Sequence, residues 1–102
     1  MKIVWTEPAV ADLTALRDYI ARDSEHYARQ FIARILEAVE PLESLPRMGR
    51  QVPEASDPDI REILFQAYRI IYRIAGERIE ILSVVRGSRD LTQRDLKPWE
   101  VE

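Results

Sequence analysis

Arginine is the residue type through which this chain could do chemistry. Arg61, Arg69, Arg73, Arg86 and Arg89 are interleaved with β-branched and aromatic residues in the second half, and Arg47 and Arg50 bracket Gly49 just upstream. A guanidinium stays protonated and presents a planar fork of donors, so several on one surface bind anions, phosphate above all, as fixed charge. General acid-base work needs a group that changes protonation near neutral pH. The lone histidine, His26, sits beside Glu25 and Tyr27 in the first half and reads as a surface residue just inside a helix start. With no second histidine and no cysteine, no metal site is expected, and nothing in the chain points to a cofactor.

The elements that must position these arginines follow from hydrophobic period. Arg61–Phe65, Tyr68–Ile74 and Arg78–Arg89 read as the three runs of an antiparallel meander, with Ala75-Gly76-Glu77 between the last two. Side chains alternate along a strand, so Tyr68, Ile70, Tyr72 and Ile74 share one face of the middle strand while Arg69 and Arg73 stand on the other. One face is then core and the other cationic.

Upstream, Lys2–Trp5 reads as a short strand. Thr6 is a fitting N-cap, with Glu7 and Pro8 in the first turn, where a carboxylate suits the helix dipole and proline forfeits no hydrogen bond. The helix that follows, over 7–22, is expected to bury Val10, Leu13, Leu16 and Ile20, leaving Asp12 and Asp18 on a solvated face near Arg17 and Arg22. Ser24 can cap a second helix whose stripe is Ala28, Phe31, Ile32, Ile35, Val39 and Leu42; Pro41 should kink or end it. Pro46, Gly49, Pro53 and Pro58 make 46–59 irregular. Asp90–Leu96 is expected to form one short helical turn, and a tail begins at Lys97-Pro98-Trp99. Trp5 reads as core, while Trp99 can dock on this chain or on another. The order predicts an α+β fold: an N-terminal strand, then a helical hairpin packed on the apolar face of an antiparallel sheet, with the arginine face left open.

Length and composition bound what such a face could meet. A chain of 102 residues reads as one domain, 1–102, able to bury roughly 65% of its unfolded surface without staples. The formal net charge of -3 argues against nucleic-acid binding through the overall field, leaving only a local basic surface. No apolar run is long enough to span a bilayer and no signal core follows Met1, so no membrane partner is expected and the cytoplasm is the expected location.

Over nearly its whole length the chain resembles the RelE/ParE family of toxins from bacterial type II toxin-antitoxin modules. The residues carrying the resemblance are Trp5-Thr6 with Ala9, Asp12 and Leu13; Pro46-Arg47-Met48-Gly49-Arg50 with Val52-Pro53-Glu54; and then Arg61-Glu62, Tyr68-Arg69-Ile70-Ile71-Tyr72 and Val84 to Asp90. The resemblance implies a cognate, ParD-like or other antitoxin that holds the toxin inactive in a hetero-oligomer, lying over its surface as an extended or helical segment.

The family divides by target. Members resembling RelE cut messenger RNA in the ribosome by attack of a 2'-hydroxyl on the adjacent phosphate, which needs a base, cations for the phosphorane and a proton source. Arg69 matches the arginine of their tyrosine-arginine strand. Glu62, however, stands where they tend to carry lysine, Gly87 where a second arginine is expected, and no tyrosine or histidine follows Arg89. Chains like this one often have histidine at the position of Arg86. The resemblance therefore implies a ParE-like gyrase inhibitor that acts by binding and is not an enzyme. Two alternatives stay open: a ribosome-dependent endoribonuclease in which Arg61, Arg69, Arg86 and Arg89 polarise the phosphate, and a degenerate member that keeps its antitoxin without toxicity.

Each candidate also has a plainer reading. Arg69 and Arg73 can pair with Glu62 or Glu80 across strands. Arg47 and Arg50 can be an exposed loop pair, or contact the target or the antitoxin together with Arg61, Arg69, Arg73, Arg86, Arg89 and Trp99.

Overall fold

The computed structural model describes residues 1–88, 91 and 97–100. Strand β1 (Lys2–Trp5) leads into helices α1 (Glu7–Ala21) and α2 (Glu25–Val39), a 3-10 turn over Glu40–Glu43, and then β2 (Arg50–Gln51), β3 (Ile60–Phe65), β4 (Tyr68–Ala75) and β5 (Arg78–Arg86), with a last 3-10 turn over Pro98–Glu100. The α+β architecture is as the sequence implies, and two details of the sheet differ. It has five strands in the order β1-β5-β4-β3-β2, and β1 joins it parallel to β5. The sheet is therefore mixed, not antiparallel throughout. The fifth strand, β2, comes from the stretch read as irregular, where Arg50 and Gln51 pair with Glu62 and Arg61.

Local chemistry explains the helix ends. Thr6 Oγ1 accepts from Ala9 N at 3.4 Å and donates to Ile81 O at 2.7 Å, so one hydroxyl caps α1 and ties it to β5. Ser24 Oγ accepts from Tyr27 N at 3.1 Å. Regular α2 ends at Val39, and the chain tightens into the 3-10 turn that contains Pro41, as the missing N–H and ring clash require.

Two cores flank the sheet. On the helix side Phe31, Ile35, Val39, Leu42, Ile70, Tyr72, Ile79, Ile81 and Val84 are buried, with Trp5, Tyr68 and Ile74 packed against them. The α1 stripe is displaced from expectation: Ala9 is fully buried, whereas Val10 is 48% exposed. On the far side Val52, Ile60, Ile71, Leu82, Val85 and Leu91 form a second cluster, with Ala55 and Trp99 against it. This corrects the open arginine face. The 46–59 segment and Leu91 fold back over it because Ile71 lies between Arg69 and Arg73 on the same side and needs cover. Opposite Ile71 and Tyr72 of β4 the register of β5 slips, Ser83 pairing with the first and Ile81 with the second, which leaves Leu82 as the extra residue. The bulge switches parity, so Ile81 and Val84 both face the helices.

Candidate functional site

The arginines of the far face are bound within the chain. Glu62, fully buried on β3, accepts from Arg69 Nε at 2.6 Å and from Arg50 Nε at 2.5 Å. Arg50 is its register partner on β2, and Arg69 lies diagonally across β4. Arg69, only 4% exposed, also donates Nη1 to Glu54 Oε2 at 2.9 Å and Nη2 to Glu54 Oε1 at 2.7 Å, a two-pronged contact. Leu91 N reaches the same Glu54 Oε2 at 3.3 Å. Two cations and two carboxylates thus form a neutral network that fastens the 50–54 segment and Leu91 to the sheet.

The electrostatics follow from those contacts. The Arg69 guanidinium holds the Glu54 carboxyl down at about 2, against burial acting the other way. Glu54 and Glu62 in turn raise Arg69 further above its already high ordinary value. No buried side-chain nitrogen or oxygen among the described residues lacks a hydrogen-bond partner.

Arg61 is a loop clip. Its Nε donates to Pro58 O at 2.9 Å and its Nη1 to Gly49 O at 2.9 Å and Arg47 O at 3.5 Å. The Tyr72 hydroxyl works on the same loop from below, accepting from Gly49 N at 3.0 Å and donating to Pro46 O at 2.7 Å. Burial raises the Tyr72 phenol above its ordinary value, partly countered by the Gly49 hydrogen bond and the charges of Arg61 and Arg47. Arg47 pairs with Asp59 at 3.1 Å. Arg73 pairs loosely with Glu80 at 3.7 Å and donates to the Trp99 carbonyl. Trp99 docks on its own chain, against the second core.

Arg86 differs from these. It is exposed at the end of β5, its Cζ 5.8 Å from the Tyr68 ring centroid, and it has no carboxylate partner among the described residues. Arg89 and most of the helical turn expected over Asp90–Leu96 lie outside the described residues. The structure therefore brings Arg50 and Arg69 together around Glu62 and Glu54, and keeps Arg61 and Arg86 apart from them. The cross-strand pairings of Arg69 with Glu62 and Arg73 with Glu80 were legible; Glu54 as a second partner was not.

Asp12 was also missed. It is no solvated carboxylate: its Oδ2 accepts from Ser83 Oγ at 2.7 Å and from Val84 N at 2.9 Å, closing the outer edge of β5 from α1. Its position one turn beyond the buried Ala9 was the available signal. His26 is exposed, and the described residues contain no group of three or more His, Cys, Asp or Glu that could hold a metal ion. No helix among them is long and apolar enough to cross a membrane.

Residues 3–91 match the family described as the ParE toxin of type II toxin-antitoxin systems, parDE. The chain belongs to this toxin family. Two toxins of Caulobacter vibrioides are similar to it: RelE2, 33% identical over 86% of this chain and 97% of that one, and ParE3, 26% identical over 88% and 90%. Among solved structures, a chain of the chromosomal ParDE system from P. aeruginosa shares 29% identity with a TM-score of 0.71, covering 84% of this chain and 95% of that one. A chain of the RelBE2 toxin-antitoxin complex from Mycobacterium tuberculosis, at 23% identity and TM-score 0.58 over 83% and 95%, shares the fold. As a type II toxin of the wider RelE/ParE group, this chain has relatives bearing both names.

Proposed function

We propose that this toxin acts by binding, with DNA gyrase as its target, and that a cognate antitoxin neutralises it. One observation carries the reading: Arg69, which matches the nuclease arginine, is buried and already held by Glu62 and Glu54. A phosphate would have to displace two carboxylates from it, leaving Glu54 without a cation and Glu62 with Arg50 alone, at a cost on the order of 3 to 5 kcal/mol. Arg61 is likewise occupied by backbone carbonyls. A phosphoryl-transfer site needs free cations and a proton shuttle around the scissile phosphate, and Glu62 puts negative charge at the centre of that face instead. Support for the antitoxin comes from the solved relatives, a ParDE system and a RelBE2 complex.

The test is induction in a bacterium without antitoxin. Filamentation and a DNA-damage response should precede any fall in protein synthesis, and purified toxin should inhibit gyrase supercoiling while leaving ribosome-bound messages intact. Translation collapsing within minutes, with codon-specific message cuts and gyrase unaffected, would overturn the reading. Co-purification with the product of an abutting open reading frame tests the antitoxin.

A further inference from the structure

The turn after β5 fixes the direction of its last backbone groups. Gly87 N donates to Ala67 O at 2.8 Å, and the register runs on through Tyr68 with Arg86, Arg69 with Val85 and Ile70 with Val84. Bonded and non-bonded pairs alternate along an antiparallel ladder, so the N–H and C=O of Arg86 and Val84 point away from β4. The 2.9 Å bond from Val84 N to Asp12 agrees with this parity. On that outer side β1 pairs with β5 only as far as Ile81, after which the chain departs as α1. The Val84 C=O and the Arg86 N–H therefore have no partner among the described residues.

A cavity of about 550 Å³ lies between this edge and α1, lined by Asp12, Leu16, Tyr19, Tyr68, Val84 and Arg86 among others. Arg86 stands over Tyr68 on its wall at 5.8 Å, and Arg22, outside the lining, stands over the lining residue Tyr19 at 5.9 Å. Neither arginine has a carboxylate partner among the described residues. An unpaired strand edge recognises extended backbone, and unpaired guanidinium groups recognise carboxylates. The Asp12 carboxylate disfavours a second acid at its end of the cavity, where Leu16 offers apolar contact.

We propose that an extended acidic segment of the neutralising partner adds to the sheet along Val84–Arg86, in line with β1. An apolar side chain of that segment sits beside Leu16, and a carboxylate two residues away meets Arg86. The inference rests on the antitoxin half of the proposed function and specifies where that partner docks and what sequence it carries.

The probes are blocked threonine hexapeptides carrying leucine and glutamate two positions apart in either order, counterparts with lysine in place of glutamate, and copies N-methylated on alternate amides. With isotope-labelled toxin, an acidic peptide should shift the Val84 and Arg86 amide signals and slow exchange of the Arg86 N–H. It should bind about tenfold tighter than its lysine counterpart, the scale of one charge-assisted hydrogen bond, and N-methylation on the pairing edge should abolish binding. Arg86→Glu, an exposed substitution, should invert the preference. Unmoved Val84 and Arg86 signals at millimolar peptide, indifference to N-methylation, or an unchanged preference in the variant each overturn the proposal. These peptides need no antitoxin, so failure here and failure of the co-purification that tests the antitoxin are separately readable.

Discussion

Arg69 grips Glu54 through both terminal nitrogens, at 2.9 and 2.7 Å, while its Nε reaches Glu62 at 2.6 Å. One buried cation thus joins a loop carboxylate to a strand carboxylate. Because Glu54 is held at about 2 against an ordinary 4.5, its contribution to stability is fully present above pH 4.5 and is lost as pH falls from there towards 2. The linkage is worth at most about 3 kcal/mol. Urea titrations from pH 7 to pH 3 should show the decline, and Glu54→Gln should flatten that part of it.

Arg69→Ala should be about as damaging as Tyr72→Ala. Truncating Arg69 leaves the Glu54 carboxylate without its cation and the buried Glu62 with Arg50 alone, a loss of about 3 to 5 kcal/mol; truncating the fully buried Tyr72 falls in a similar range, about 3 to 5 kcal/mol. On an open arginine face the first substitution would have been mild. Comparing denaturant midpoints of the two variants separates a covered face from an open one.

Gly49 has no room for a side chain. A Cβ there would meet Glu62 O at 2.5 Å and the Tyr72 hydroxyl at 2.7 Å, and the first of these is backbone in the middle of the sheet. Gly49→Ala should cost about 1 to 3 kcal/mol as overpacking. Tyr72→Phe keeps the ring but leaves the Gly49 N–H without its acceptor, a loss of about 1 to 3 kcal/mol. Thermal melts of both variants check the pair.

The two hairpin turns of the meander make an internal comparison. Gln66 has φ 51 and Gly76 has φ 62, so each turn has its first residue in the left-handed region, but only one uses glycine. Gln66→Gly relieves about 1 kcal/mol of backbone strain and returns part of it as unfolded-chain entropy, for a net gain of a few tenths to about 0.5 kcal/mol. Gly76→Ala should lose about 1 kcal/mol. Opposite shifts in Tm are the expected result.

What could be read in the sequence were features decided by near neighbours. Thr6 and Ser24 announce helix starts by their own hydrogen bonds, Pro41 ends α2 by its own ring, and Tyr68, Ile70, Tyr72 and Ile74 declare their face by alternation alone. Arg69 could not be placed that way, because its fate depends on Glu54, 15 residues back in a segment whose prolines hid its return to the sheet. Ile71 was the overlooked clue: an isoleucine between two arginines on one strand face predicts cover for that face. Leu82 broke the alternation in β5 by a bulge that no residue type announces.

Asp12 offers the last test, since it serves the fold and bounds the proposed strand site together. Its Oδ2 answers the Val84 N–H, at the edge of β5, and the Ser83 hydroxyl. Asp12→Ala orphans a backbone donor and should cost about 1 to 3 kcal/mol. Asp12→Asn keeps an acceptor oxygen for Val84 and removes the negative charge, so the stability loss should be smaller. If that charge is what excludes a second acid from the Leu16 end, the asparagine variant should bind a peptide with two glutamates, two positions apart, as tightly as the leucine and glutamate peptide. The parent toxin should still prefer leucine there. Equal discrimination in parent and variant would mean that Asp12 acts only through the fold.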